Sequence, residues 1–209
     1  MVDVPLLASR WPLPGAYDVR DRLLAAWTDP ARGYHDLRHL AEVLDHLEVL
    51  LDALDGDDGD EVDADAVRLA AWFHDAVYDG APDDEQRSAA LAEEELTGAG
   101  VAVDVATEVA RLVRLTATHD PAPSDLAGAL LSDADLAVLA AEPQRYAEYV
   151  DGVRREYAHL SDDVFARGRA DVLRGLLAGP TLFRTAPGRR LWEERARANV
   201  EAELSTLDG

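Results

Sequence analysis

The chain contains no cysteine, which excludes disulfides, thiolate metal centres and cysteine nucleophiles. Histidine and carboxylate are the strong metal ligands left to it. Lysine and isoleucine are absent as well, so every fixed side-chain cation is an arginine. Positive charge is scarce: 20 basic residues stand against 42 acidic ones, a formal charge of -22. A field of that sign repels a polyphosphate backbone, so no long nucleic acid is expected as a partner. No apolar run approaches the ~20 residues needed to cross a bilayer. The opening MVDVPLLASRWPLPG has no basic region ahead of a long apolar stretch. The expectation is a cytoplasmic protein with no membrane partner. Neither a P-loop nor a Gly-x-Ser-x-Gly elbow is present.

What is there is helical periodicity. With 209 residues, 48% of them hydrophobic, the chain suits one globular domain spanning 1–209. No sustained period-two run rich in β-branched residues occurs, so the expected class is all-α with no sheet. A helical segment over 1–30 is followed by a helix from near Tyr34 to Leu54, whose Leu37, Leu40, Leu44, Leu47, Leu51 and Leu54 form one stripe. An acidic loop over 52–65 carries eight carboxylates and two glycines. A calcium loop starting at Asp55 fails on spacing, because Asp60 occupies the position of the turn glycine. Further helices are expected over Ala66–Asp79, Asp84–Leu96 and Asp104–Thr118. Ser124 caps one running to Ala141, and Pro143–Leu160, Ser161–Ala178 and Gly188–Leu207 complete the set.

Three places put charge or imidazole among apolar residues. In AVRLAAWFHDAVYD, His74 and Asp75 interrupt a run that looks buried on both faces. Leaving both uncompensated there costs roughly several kcal/mol, and a divalent cation would offset it, as would ordinary hydrogen bonding or a helix cap. In YHDLRH, His35 and His39 lie four apart on one face. In LSDADL, Asp133 and Asp135 sit inside an apolar helix. Each taken singly is compatible with a structural role.

Together they resemble the HD superfamily of metal-dependent phosphohydrolases: a His, a His-Asp pair and an Asp on successive helices of an α-bundle. His39, His74, Asp75 and Asp135 match in that order. YHDLRH is similar to the family's Tyr-His-Asn-x-x-His box, with Asp36 where Asn is common. WFHDAVYD is similar to its His-Asp helix, and DDEQRSA to its Asn-Glu-x-x-Ser-Ala segment. THD, SDADL and VRREY follow. The likeness runs from Tyr34 to Leu204 and is greatest to small bacterial predicted HD phosphohydrolases.

The resemblance implies an HD-domain helical bundle that uses a divalent ion (Mn, Fe, Co, Ni or Mg) to hydrolyse a phosphate ester or anhydride in a small, nucleotide-like molecule. It makes His39, His74, Asp75 and Asp135 the metal ligands. His35 becomes the donor to the leaving oxygen, and Glu85 the residue that handles the attacking water. His119 and Asp133 become candidates to support those ligands or to hold a second ion. Arg87, Arg154 and Arg155 are candidate phosphate binders, since substrate charge must be met locally in so acidic a chain. His46 and His159 are expected to face solvent. Two other functions share the scaffold. One is a di-iron oxygenase, for which the chain offers only His119 as an extra ligand. The other is a non-catalytic metal- or nucleotide-binding module.

Overall fold

The computed structural model describes residues 2–54 and 62–208, so the core of the acidic loop and the Asp55 calcium-loop alternative lie outside the described residues. Among the described residues the protein is all helical, a bundle of ten α-helices and one short 3-10 turn. The first two are α1 (Val4–Ala8) and α2 (Tyr17–Trp27), followed by α3 (Leu37–Asp52), α4 (Ala64–Phe73) and α5 (Asp84–Gly98). Next come α6 (Val103–Leu115) and α7 (Leu126–Leu136), which tightens into a 3-10 turn at Ala137–Ala140. The chain closes with α8 (Pro143–Glu156), α9 (Asp162–Leu177) and α10 (Ala186–Leu207).

The boundaries follow from local chemistry. Asp36 caps α3 by accepting from the amides of Arg38 and His39 at 2.8 and 3.3 Å. The Asp36 carboxylate therefore anchors the turn that carries His39. Asp63 caps α4 through the amides of Asp65 and Ala66. The acidic stretch thus ends in a helix start rather than in loop. Asp125, not Ser124, caps α7. The helix expected over Ala66–Asp79 stops at Phe73, with His74 as its C-cap, and Asp75 lies beyond it. Apolar content continued past that point, so periodicity alone did not mark the end.

Two apolar clusters form the core. The larger contains Trp27, Leu40, Leu44, Leu47, Trp72 and Phe73, with α6 and α7 supplying Val109, Leu112, Leu130 and Leu131. The stripe on α3 buries Leu40, Val43, Leu44, Leu47 and Leu50, and His39 lies within that buried set. The smaller cluster gathers Tyr34, Val138, Leu139, Tyr149, Leu173 and Phe183 around α8 to α10, and Trp192 touches both. Helices α3, α4 and α7 pack against one another, α5 lies on α6, and α10 lies on the 3-10 turn. The seam between the two clusters is where the polar residues collect.

Candidate metal centre and cavity

Three helix C-termini meet at this seam. His74 is the C-cap of α4, Asp135 is the penultimate residue of α7, and His119 follows the end of α6. Carbonyl groups at helix C-termini carry partial negative charge, which favours a cation between them. Helix α3 adds His39 from its first turn.

The side chains converge closely. Nε2 of His39 lies 3.1 Å from Nε2 of His74 and 3.1 Å from Oδ1 of Asp135. His74 Nε2 is 3.5 Å from the same oxygen. Asp75 Oδ2 comes within 3.1 Å of His74 Nε2 and 3.7 Å of His39 Nε2. His39, His74 and Asp135 form a group that can hold a metal ion, with one ligand atom from each lying within 4.8 Å of the others. Ligand atoms about 2.1 Å from a common ion sit roughly 3.0–3.5 Å apart, which is the spacing seen here. The ring orientation also fits, because Nδ1 of His74 donates to the Ala71 carbonyl at 2.9 Å and Nε2 is the nitrogen that faces the cluster. Trp27 packs against both imidazoles at 5.4 and 6.1 Å, and its indole N–H is held by the Trp72 carbonyl.

Electrostatics point the same way. Burial disfavours charge on His74, but Asp75 and Asp135 outweigh it and raise the imidazole pKa well above its usual value. Burial likewise opposes ionisation of the two carboxylates, yet the imidazolium of His74 holds both below their usual range. His39 is pushed down by burial and stays neutral. Two ionised carboxylates against one imidazolium leave these four residues with a residual negative charge in a buried place, which is the condition a cation relieves.

Beside this cluster stands a second arrangement. Glu156, at the end of α8, accepts the backbone amides of Gly33, Tyr34 and His35 on one oxygen at 2.7–2.9 Å. Its other oxygen accepts from Nδ1 of His35 at 2.8 Å and from the Tyr78 hydroxyl at 3.1 Å. A carboxylate can only accept, so Nδ1 carries the proton and Nε2 is turned toward Asp75, 4.0 Å away. Tyr78 stacks on the ring with centroids 4.1 Å apart. Arg32 closes the arrangement by donating to the carbonyls of His35, Asp75 and Ala76, which ties the two loops together. Burial works against charge on His35, but Asp75 and Glu156 prevail and raise its pKa.

Both arrangements open on one cavity of about 460 Å³, lined near the cluster by His35, Asp75, Tyr78, Glu85, His119 and Asp135. Glu85 is half-buried, and burial together with Asp75 and Asp84 raises its pKa. His119 Nε2 is 3.5 Å from Asp135 Oδ2. Its backbone adopts φ of 49°, a left-handed conformation that a non-glycine residue adopts at some cost in strain.

No protein family, curated protein or solved structure matches the chain. The functional reading therefore stands on the residues and their geometry.

The structure brings together His35, His39, His74, Asp75, Glu85, His119 and Asp135. It takes other candidates elsewhere. Asp133 is fully buried and accepts from the Arg184 and Thr185 amides and the Thr185 hydroxyl, fastening the start of α10 rather than reaching the histidine–aspartate cluster. Arg87 pairs with Asp79 and Asp84, Arg154 with Asp162, and Arg155 donates to the Gly33 carbonyl, and none of the three lines the cavity. His46 is not solvent-facing, since it hydrogen-bonds the Ala134 carbonyl and packs edge-on against Trp192. His159 is exposed, as expected. Sequence reasoning missed Glu156, Arg32 and Tyr78. Glu156 lies three residues from buried Val153 on the α8 face that meets the core, and an acid at such a position was the available signal.

Proposed function

We propose that this chain is a metal-dependent phosphohydrolase of the HD type acting on a small phosphorylated molecule. The observation that carries this reading is the convergence of two imidazole nitrogens and two carboxylates beside an oriented histidine on the wall of one cavity. His39, His74, Asp75 and Asp135 would hold the ion, and an N/O set of this kind suits Mn, Fe, Co, Ni or Mg. When bound, such an ion polarises a phosphoryl oxygen and acidifies water.

The remaining chemistry belongs to the chain. Hydrolysis adds a water oxygen to phosphorus and breaks the bond to the leaving oxygen. His35, its Nδ1–H held by Glu156, presents Nε2–H to that leaving oxygen and supplies the proton it gains. Glu85, facing the same cavity with a raised pKa, takes the proton that water loses. The orientation of His35 favours catalysis over an ion held only to brace helices, because bracing requires no oriented proton donor.

The test is His35→Gln. The variant should keep its metal while turnover falls by roughly two to four powers of ten on alkyl phosphates. The fall should be smaller on aryl phosphates, whose leaving groups gain little from protonation. Loss of metal would instead make His35 a ligand, and equal impairment on both substrate types would contradict its role as proton donor.

A further inference from the structure

The cavity does not end at the histidine–aspartate cluster. It continues along one face of α9, where Val164, Phe165, Gly168, Arg169, Val172 and Leu176 recur at steps of one, three and four. Val138, Leu139, Tyr149 and Val153 form the facing wall. Helix α9 packs on α10, and the residues it buries are Ala170 and Leu173. On the cavity side Val164 and Val172 remain 45% and 58% exposed. Among the described residues, this apolar face borders the same space as the catalytic groups, with Phe165 stacked under the Arg154 guanidinium and Val164 and Val172 left part-exposed.

Charge in this chamber is equally informative. Among the described residues lining it, Arg169 is the one fixed cation, and it is already committed. Its Nε lies 2.8 Å from Glu203 Oε1, and its Nη2 donates to the Tyr149 hydroxyl at 2.7 Å. The hydroxyl of Tyr146 occupies the same carboxylate. The arginines that might have met extra phosphate, Arg87, Arg154 and Arg155, all lie outside the cavity. A polyphosphate would bring several negative charges into a wall that has no free cation to meet them, in a chain of charge -22. An apolar group would instead bury both itself and the face of α9.

We infer that the substrate is a phosphate ester of low charge whose alcohol portion is apolar, an alkyl or aryl group seated against the α9 wall, and that nucleoside polyphosphates are poor ligands. The inference rests on the phosphoryl reading of the cluster and narrows it. The cavity's volume of about 460 Å³ is enough for such a group beside a phosphoryl.

Binding to the Mn-loaded chain tests it by calorimetry with four probes: methylphosphonate, hexylphosphonate, adenosine triphosphate and 1-hexanol. Each buried methylene strengthens binding by about fourfold, so hexylphosphonate should exceed methylphosphonate by at least roughly tenfold even if only part of the chain is seated. It should also exceed adenosine triphosphate. Val172→Asp, and separately Val164→Asp, should remove most of the hexyl advantage while metal content and melting temperature hold, because both sites are part-exposed and tolerate a polar side chain. Equal, metal-dependent binding of methyl- and hexylphosphonate would overturn the inference and leave the phosphoryl reading standing. Tighter binding of adenosine triphosphate would overturn it too. If 1-hexanol matched hexylphosphonate without regard to metal, the phosphoryl reading would fall and the ester assignment with it.

Discussion

Nδ1 of His35 stands 2.8 Å from Oε2 of Glu156, a residue 121 positions away in sequence, and this contact fixes which nitrogen of His35 faces the cavity. Burial raises the Glu156 carboxyl, but the His35 bond and the backbone amides of Tyr34 and His35 hold it down at about 2. A folded value below the unfolded one adds stability above the ordinary carboxylate range near 4.5, and that stability is lost as pH falls through the folded value. Glu156→Gln should therefore lose on the order of 2–3 kcal/mol at neutral pH and show a flatter melting curve between pH 5 and 2 than the parent. Its turnover should fall by about tenfold or more with metal retained, since a neutral amide no longer favours the doubly protonated His35 that gives up the Nε2 proton. An unchanged acid limb in thermal denaturation would show that the pair does not stabilise the fold.

The reach of Glu156 depends on a close backbone approach. Gly33 and Gly152 lie face to face, and a Cβ on Gly152 would come within 2.8 Å of the Gly33 carbonyl oxygen. A Cβ on Gly33 would press still closer on the Gly152 carbonyl. Neither backbone oxygen can yield as a side chain would, so Gly33→Ala should force the loop off α8. Roughly 1–3 kcal/mol of stability should go with it, in the range of overpacking substitutions. Chemical denaturation checks this, with Gly98→Ala as the comparison because a Cβ there meets nothing.

Much of this arrangement is legible in the sequence, and the limits are physical. All-helical architecture follows from periodicity, and the stripe on α3 foretells the buried face that carries His39. His74, Asp75 and Asp135 stand out because charge among apolar neighbours requires a partner. The end of α4 at Phe73 does not show, since the chain stays apolar beyond it. Partner choice is equally hidden. Asp133 and Asp135 look alike in LSDADL, yet one fastens α10 and the other faces His39, because residues two apart on a helix point in different directions. Arg154 and Arg155 drew notice for their charge, while Glu156 beside them reaches the site through the fold alone.

Metal binding should expel a proton. With the His74 pKa raised by Asp75 and Asp135, the metal-free protein carries an imidazolium there at neutral pH, and an ion must displace it. Because a raised value favours the protonated form below it, apparent affinity should climb with pH, by up to about tenfold per unit, until His74 is deprotonated. Calorimetry of Mn binding in buffers of different ionisation enthalpy should report about one proton released per ion. Release of none would mean that His74 is already neutral or is not a ligand.

The central claim is that His39, His74, Asp75 and Asp135 hold an ion, and metal analysis tests it most directly. Protein loaded with Mn and dialysed free of excess should retain about one ion per chain, as a single N/O ligand set implies. Asp75→Ala and Asp135→Ala should each retain far less while remaining helical by circular dichroism. A parent protein that takes up no ion, or aspartate variants that keep as much as the parent, would contradict the account.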